Sequence, residues 1–259
     1  MREYALTYPQ LVAQARVAGA DDAVLERLRD AYATSQTVFD GYFRSCGEPF
    51  ACHMVRTASV VLTENEPLPV VEAALLHSAY DLWQYEDTTR RRPRASHRRW
   101  LQRRIGPEAE ALVWGFRQLD WRGALRTHGA GLADAPGVDR GVLMLYLANE
   151  VANHLDLGAA SKVGWPLRER IETHGKRVVA LARTMELPVL ADELSVVFKE
   201  CLAEDLPALV KSRGRPYEMP ARRPWQARSL GRQFIRARRR VGRRARRWRT
   251  RSTASPVRP

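Results

Sequence analysis

The chain has 259 residues and a formal net charge of +14, and this charge is concentrated at the C-terminal end. Residues 212–259 contain 17 arginines, no lysine and a single acid, which gives them +16, whereas residues 1–211 contain 26 bases and 28 acids and carry −2. The sequence therefore predicts a nearly neutral folded body with a polybasic tail, and it argues against a uniformly basic fold of the histone or ribosomal-protein type.

The composition also limits where the protein is expected to work. No apolar run reaches the roughly 18–20 residues needed to cross a bilayer, and the opening segment MREYALTYPQ lacks the pattern of a signal peptide. The three cysteines (Cys46, Cys52 and Cys201) form no CxxC motif, which favours small buried thiols over a disulfide scaffold or a Cys-ligated zinc site. We expect a cytoplasmic protein, with peripheral attachment at the inner face of the membrane as the alternative.

Residues 1–211 are predicted to form an all-α body, because no alternating β pattern of useful length is present. In chain order, helices are predicted over residues 21–43, 50–62, 70–83, from 105 onward, 139–157, 166–186 and 190–210. Residues 44–49 are predicted to form a turn. Residues 86–97 are polar and contain a proline, and residues 122–137 are rich in glycine, so both segments are predicted to be irregular.

The composition changes after residue 211. Residues 212–227 contain three prolines and predict a linker, and residues 252–259 are predicted to be disordered. Between them, residues 228–251 predict a basic amphipathic helix, with Leu230, Phe234, Val241 and Trp248 on one apolar stripe. The arginines that cover the rest of its circumference include Arg236, Arg239, Arg240, Arg243, Arg244 and Arg247.

This tail has three candidate partners, besides the simpler interpretation of a solvated arginine-rich end. A basic helix with an apolar stripe can lie on an anionic membrane surface. Arginine also forms bidentate contacts with phosphate, which suits a nucleic acid. An acidic protein is the third candidate. The apolar stripe favours a membrane or a protein over a nucleic acid.

Three of the six histidines lie in strongly apolar predicted helices. They are His53 in GEPFACHMVRTA, His77 in VEAALLHSAYD and His154 in YLANEVANHLDLG. A neutral imidazole in such a place must find a hydrogen-bond partner or a metal ion.

The order and context of these segments resemble the HD-domain superfamily of metal-dependent phosphohydrolases, and especially the hydrolase domain of RelA/SpoT-like (p)ppGpp enzymes. The resemblance covers roughly residues 45–185. It implies an HD-like helical bundle in which His53 and His77 match the first two metal ligands. Ser78 and Asn149 stand where the family has its two aspartates. The His-Ser pair also resembles uncharacterised bacterial HD-like domains that carry His-Ser or His-Ala at this motif.

Loss of both aspartates removes the anionic ligands that hold Mn²⁺ or Mg²⁺ in the family. A rearranged site is the alternative, because Glu150 and His154 are four residues apart and share a helix face. Together with His53 and His77 they would form a set suited to a divalent metal such as Mn, Fe or Zn. In that site Asp81 is the candidate general base.

Three functions remain open at this point. The first is a divergent HD-like protein with weak or absent phosphohydrolase activity that binds a nucleotide, a phosphorylated metabolite or a partner. The second is an active metal-dependent phosphohydrolase that uses the rearranged site. The third is a peripheral membrane or scaffold protein with no ligand in the body. A cluster of arginines over residues 90–104 is a possible source of attraction for a phosphorylated small molecule.

Overall fold

The computed structural model describes residues 2–44, 46–81, 95–155, 167–204, 207 and 217–218. The helix predicted over residues 228–251, the predicted disordered tail and most of the predicted linker lie outside these residues. Backbone contacts divide the chain into two units, Met1–Glu218 and Met219–Pro259, and all described residues belong to the first.

The described residues are predominantly helical, which confirms the predicted all-α class. The helices are α1 (Tyr8–Val17), α2 (Asp22–Phe39), α3 (Phe50–Thr63), α4 (Leu68–Ala74), α5 (Ala95–Gln118), α6 (Trp121–His128), a 3₁₀ helix (Gly129–Asp134), α7 (Arg140–His154), α8 (Leu167–Thr184) and α9 (Pro188–Ala203). Two short strands, β1 (Phe43–Arg44) and β2 (Tyr217–Glu218), pair antiparallel. The predicted linker therefore contains two residues that pair with the body.

Helix α7 lies at the centre of the core. It packs against α3, α4, α5 and α9, and most of its residues are buried. It begins where the sequence predicts, because the Asp139 side chain accepts hydrogen bonds from the Gly141 and Val142 amides. The side chains of α7 can therefore face several neighbouring helices at once.

The first helices differ from the prediction at their ends. Helix α2 starts as predicted, with Asp21 accepting a hydrogen bond from the Val24 amide at 2.8 Å. It ends at Phe39 and not at residue 43, since Phe43 and Arg44 form β1. Helix α1 was not predicted, although its capping box of Thr7 and Gln10 is a sequence signal for a helix start.

The helix predicted over residues 70–83 is interrupted. Regular helix ends at Ala74, and residues 75–78 form turns in which Leu76 and Ala79 donate to carbonyls three residues earlier. Residues 79–81 are helical again, and residues 82–83 lie outside the described residues. The Nδ1–H of His77 donates to the Ala74 carbonyl oxygen at 2.9 Å. In a continuing α-helix the Ala74 carbonyl would accept a hydrogen bond from the amide of residue 78. Here the His77 side chain provides the donor instead.

Two segments predicted to be irregular are partly helical. Helix α5 begins at Ala95, inside the segment predicted as a loop, and it breaks at Gly106, where φ is 81°. The helix predicted from residue 105 onward is confirmed, and it restarts at Pro107 after this break. The glycine-rich residues 122–137 contain α6 and the 3₁₀ helix, because Leu125 and Leu132 are buried in the core. Tertiary burial here outweighs the low helix propensity of glycine.

Helices α8 and α9 were both predicted, although α9 ends at Ala203, earlier than expected. No helix within the described ranges is long and apolar enough to cross a membrane.

Candidate functional site

Three of the family-like positions come together in the core. His53 on α3, His77 in the turn after α4 and Asn149 on α7 converge, and the His53 Nε2–H donates to Asn149 Oδ1 at 3.1 Å. The two imidazole rings meet edge to face with their centroids 5.4 Å apart. Ser78 is also buried. The structure thus brings together three of the side chains that the sequence resemblance had predicted to share one site.

Each imidazole keeps one buried nitrogen without a hydrogen-bond partner among the described residues. In His77 the Nδ1 donates to Ala74, so Nε2 carries the lone pair. In His53 the Nε2 donates to Asn149, so Nδ1 carries it. An unsatisfied buried acceptor costs about 1–3 kcal/mol, so these atoms are places where a ligand donor would be stabilised.

Both imidazoles are held neutral by their surroundings. Burial lowers the pKa of His77 to about 4. Burial also lowers the pKa of His53 well below its ordinary value, and the nearby Arg44 guanidinium lowers it further. At neutral pH both side chains therefore offer lone pairs and no positive charge.

A charged network lies beside His53 and was missed at the sequence level. The Glu48 carboxylate lies 2.8 Å from Arg44 Nη1 and 2.7 Å from Arg56 Nη2, so it forms an ion pair with each guanidinium group. Arg44 also donates to Asn153 Oδ1 at 2.8 Å, across 109 residues of sequence. The position of Glu48 and Arg44 in the turn before α3 was visible in the sequence, but their partner on α7 was not.

The other two predicted metal ligands face different helices. Glu150 Oε1 forms an ion pair with Arg170 Nη2 of α8 at 2.5 Å. The Nδ1–H of His154 donates to the Glu150 carbonyl oxygen at 2.6 Å, and its ring packs edge-on against Phe198 of α9. Glu150 and His154 share a face of α7, but that face is directed to α8 and α9.

The rearranged four-ligand site is therefore not assembled. Within the part of the chain that the structure describes, no three His, Cys, Asp or Glu side chains lie close enough together to hold a metal ion. The prediction required the face carrying Glu150 and His154 to point at His53 and His77. An α-helix advances about 100° per residue, so Asn149 is directed to α3 while Glu150 is directed to α8.

The predicted general base is engaged by an arginine. The Asp81 carboxylate lies 2.8 Å from Arg117 Nε of α5, and burial raises its pKa despite that cation. Of the body arginines predicted to attract a ligand, Arg98 binds Glu110 and Arg104 lies over the Trp100 ring. Residues 90–94 lie outside the described residues.

The convergent donors do not fit a hard divalent cation. They are two neutral imidazole nitrogens and one neutral amide oxygen, whereas Mn²⁺ and Mg²⁺ prefer carboxylates. Zinc sites usually supply three or four protein ligands of His, Cys or carboxylate type.

A family model described as Domain of unknown function (DUF6817) matches residues 40–121, which contain His53 and His77 but not Asn149. No curated protein matches. One similar solved structure is described as a metazoan ortholog of SpoT that hydrolyzes ppGpp and plays a role in starvation responses. This chain is 17% identical to it, the match covers 70% of this chain and 96% of that one, and the TM-score is 0.46.

Proposed function

We propose that this chain is a divergent HD-like protein that binds a phosphorylated small molecule at His53, His77 and Asn149 without metal-dependent hydrolysis. The observation that carries the proposal is the neutral donor set of His53, His77 and Asn149, with the guanidinium groups of Arg44 and Arg56 close to His53. The Arg44 and Arg56 guanidinium groups favour an anion, and arginine matches phosphate geometry well. The unpaired Nε2 of His77 accepts a hydrogen bond from a ligand hydroxyl or N–H.

The metal part of the proposal is tested by restoring the two acids. Purified wild-type protein should contain no stoichiometric Mn, Fe or Zn by elemental analysis. The double variant Ser78→Asp/Asn149→Asp should gain Mn²⁺ binding, because two carboxylates would then join His53 and His77. The control is Thr173→Asp/Ser195→Asp, which adds the same charge on α8 and α9.

Two outcomes would contradict this part. Stoichiometric metal in the wild type that disappears in His53→Ala or His77→Ala would show that the neutral set binds a cation. A folded Ser78→Asp/Asn149→Asp variant with no more Mn²⁺ affinity than the control would show that these positions do not form an HD-like ligand set.

The ligand part is tested by calorimetry with GDP and with inorganic pyrophosphate in the presence of EDTA. Binding is expected without metal, and Arg44→Gln should weaken it by about tenfold. The control is Arg29→Gln. Arg29 is exposed, and its ion pairs in the described part of the chain are with Glu26 and Asp30 of its own helix. Metal-stimulated release of phosphate by the wild type, or no binding of either compound, would overturn the proposal.

A further inference from the structure

A cavity with polar lining lies between the start of α6, the middle of α7 and α8, and neither His53 nor His77 lines it. Its volume is about 260 Å³. The polar side chains that line it are Asp120, Trp121, Arg122, Tyr146, Arg170 and His174. Tyr146 of α7 lines this cavity, whereas Asn149, one turn further along the same helix, bonds to His53 in the candidate site.

The cavity carries guanidinium groups from two different helices. Arg122 is exposed at the start of α6 and has no ion-pair partner within the described part of the chain. Arg170 enters from α8, and its Nη2 binds Glu150. A guanidinium has five N–H donors, so Arg170 keeps donors for a ligand. Asp120 is the one carboxylate among the lining residues, and it precedes the first residue of α6.

Two further nitrogens in the lining lack partners. His174 is only 9% exposed, and its buried Nδ1 has no hydrogen bond among the described residues. The Nε1–H of Trp121 is likewise buried and unpaired. An indole nitrogen can only donate, so this atom requires an acceptor. The Trp121 ring is fixed against Tyr146, with centroids 3.8 Å apart and an interplanar angle of 10°.

We propose that this cavity binds a phosphate group, supplied either as inorganic phosphate or as a small phosphomonoester, between Arg122, Arg170, Trp121 and His174. Four nitrogen-bearing side chains from α6 and α8 surround one space, and a phosphate offers acceptor oxygens in several directions at once. The volume lies just below the range of about 300–1,000 Å³ typical of pockets for drug-sized ligands. It therefore suits a small anion better than a complete nucleotide.

The test follows the Trp121 indole N–H in ¹H–¹⁵N spectra of the full chain, with its signal assigned by Trp121→Phe. Titration with inorganic phosphate at constant ionic strength should shift this signal saturably, with a Kd of about 1 mM or lower. The indole signals of Trp225 and Trp248 report any binding to the arginine-rich tail separately.

Arg122→Gln should weaken binding by about fivefold or more, and His174→Gln should weaken it as well. Arg126→Gln is the matched control, because it removes the same charge from the same helix without lining the cavity. A parallel titration with glycerol phosphate distinguishes the two sources, since tighter binding than inorganic phosphate indicates a phosphomonoester.

Absence of a saturable shift of the Trp121 signal at phosphate concentrations of about 10 mM would overturn the proposal. It would also be overturned if Arg126→Gln weakened binding as much as Arg122→Gln, since the effect would then be one of general charge. Because Arg122 is exposed, its variant should retain the wild-type helical circular dichroism, which separates loss of binding from loss of fold.

Discussion

At the scale of the single residue, His77 has two roles. Its Nδ1–H donates to the Ala74 carbonyl at the end of α4, and its buried Nε2 has no hydrogen-bond partner among the residues that the structure describes. The first role explains why a histidine is tolerated in a fully buried turn. The hydrogen bond to Ala74 fixes the tautomer and satisfies a carbonyl that the helix leaves open.

The protonation of His77 gives a pH-dependent stability. The folded protein keeps this imidazole neutral down to about pH 4, whereas in the unfolded chain its pKa is about 6.5. As the pH falls below about 6.5 the unfolded state takes up the proton first, so stability is lost until about pH 4. Between pH 7 and pH 5 we expect this group to remove about 2 kcal/mol from the free energy of unfolding.

Urea denaturation of the wild type and of His77→Gln at several pH values measures this effect. The variant should lose about 2 kcal/mol less than the wild type over that interval, whatever its stability at pH 7. His128→Gln, an exposed histidine, should keep the wild-type pH dependence. Parallel curves for the wild type and His77→Gln would contradict the prediction.

The ion pair of Glu150 with Arg170 gives a second prediction. The Glu150 side chain is 4% exposed, so Arg170→Met leaves a buried carboxylate without its cation. We expect a loss of about 2 kcal/mol, below the cost of a fully buried pair because Arg170 itself is 27% exposed. The double variant Glu150→Gln/Arg170→Met should recover part of this loss.

Thermal and urea unfolding provide the measurement. Arg177→Met on the same helix is the control, because within the described residues Arg177 forms no ion pair and bonds to the Thr173 carbonyl of its own helix. If both methionine variants lose the same stability, the carboxylate of Glu150 does not depend on Arg170. The pair was not predictable from sequence, because the periodicity of α7 indicated only which residues share a face and not which helix that face meets.

Because the sequence does not show which helices meet, it could predict only part of the site. His53 and His77 stand out because a polar side chain in an apolar helix needs a partner, and both lie in the site. Arg44 was indistinguishable from any other arginine in a turn, because its partner Asn153 lies on α7. Long-range pairing of this kind depends on how the helices pack, which a local pattern does not contain.

At the scale of elements, α5 and α7 approach closely where each has a glycine. A Cβ at Gly115 of α5 would lie 2.8 Å from Val142 Cγ2, and one at Gly141 of α7 would lie 2.9 Å from Leu112 Cδ2. These contacts are closer than real side chains allow, so the two glycines set the distance between the helices. That distance in turn positions α7, which carries Asn149.

Gly115→Ala should therefore destabilise the protein. Alanine would improve helix propensity by about 1 kcal/mol, but overpacking against the stiff, buried Val142 costs about 1–3 kcal/mol. We expect a net loss of about 1 kcal/mol in chemical denaturation. Gly131→Ala is the matched control, since a Cβ there meets nothing within 4 Å, and its stability should change by less than about 0.5 kcal/mol. A Gly115→Ala variant more stable than the wild type would contradict the close approach.

Helix positions were mostly predictable, and the failures have a common cause. Capping residues such as Asp21 and Asp139 marked helix starts correctly, because a cap is a local interaction. The prediction that residues 122–137 are irregular was wrong. Their helices are stabilised by the burial of Leu125 and Leu132 and not by the helix propensity of their residues. Local signals determine where a helix can begin, and packing determines whether a weak helix persists.

At the scale of the whole molecule, the charge of +16 on residues 212–259 stands apart from the nearly neutral body. The pairing of β2 with β1 changes how this tail should be tested. Removal of all residues from 212 onward would also remove Tyr217 and Glu218, which pair with Phe43 and Arg44 next to the candidate site. A chain that ends at Glu218 keeps this pairing and removes most of the arginines.

We expect the full chain to bind vesicles that contain phosphatidylserine and to bind phosphatidylcholine vesicles weakly, because clustered basic residues each contribute about 1 kcal/mol near an anionic surface. The chain that ends at Glu218 should lose binding by about 100-fold or more. Phe234→Ser/Trp248→Ser, which keeps every arginine, should weaken binding by about tenfold, since the apolar stripe would no longer enter the interface. Sedimentation with vesicles at physiological salt measures all three.

Equal binding by this double variant and the wild type would show that charge alone acts, and the tail would then suit a nucleic acid or an acidic protein as well as a membrane. Tight vesicle binding by the chain that ends at Glu218 would instead assign the membrane contact to the body.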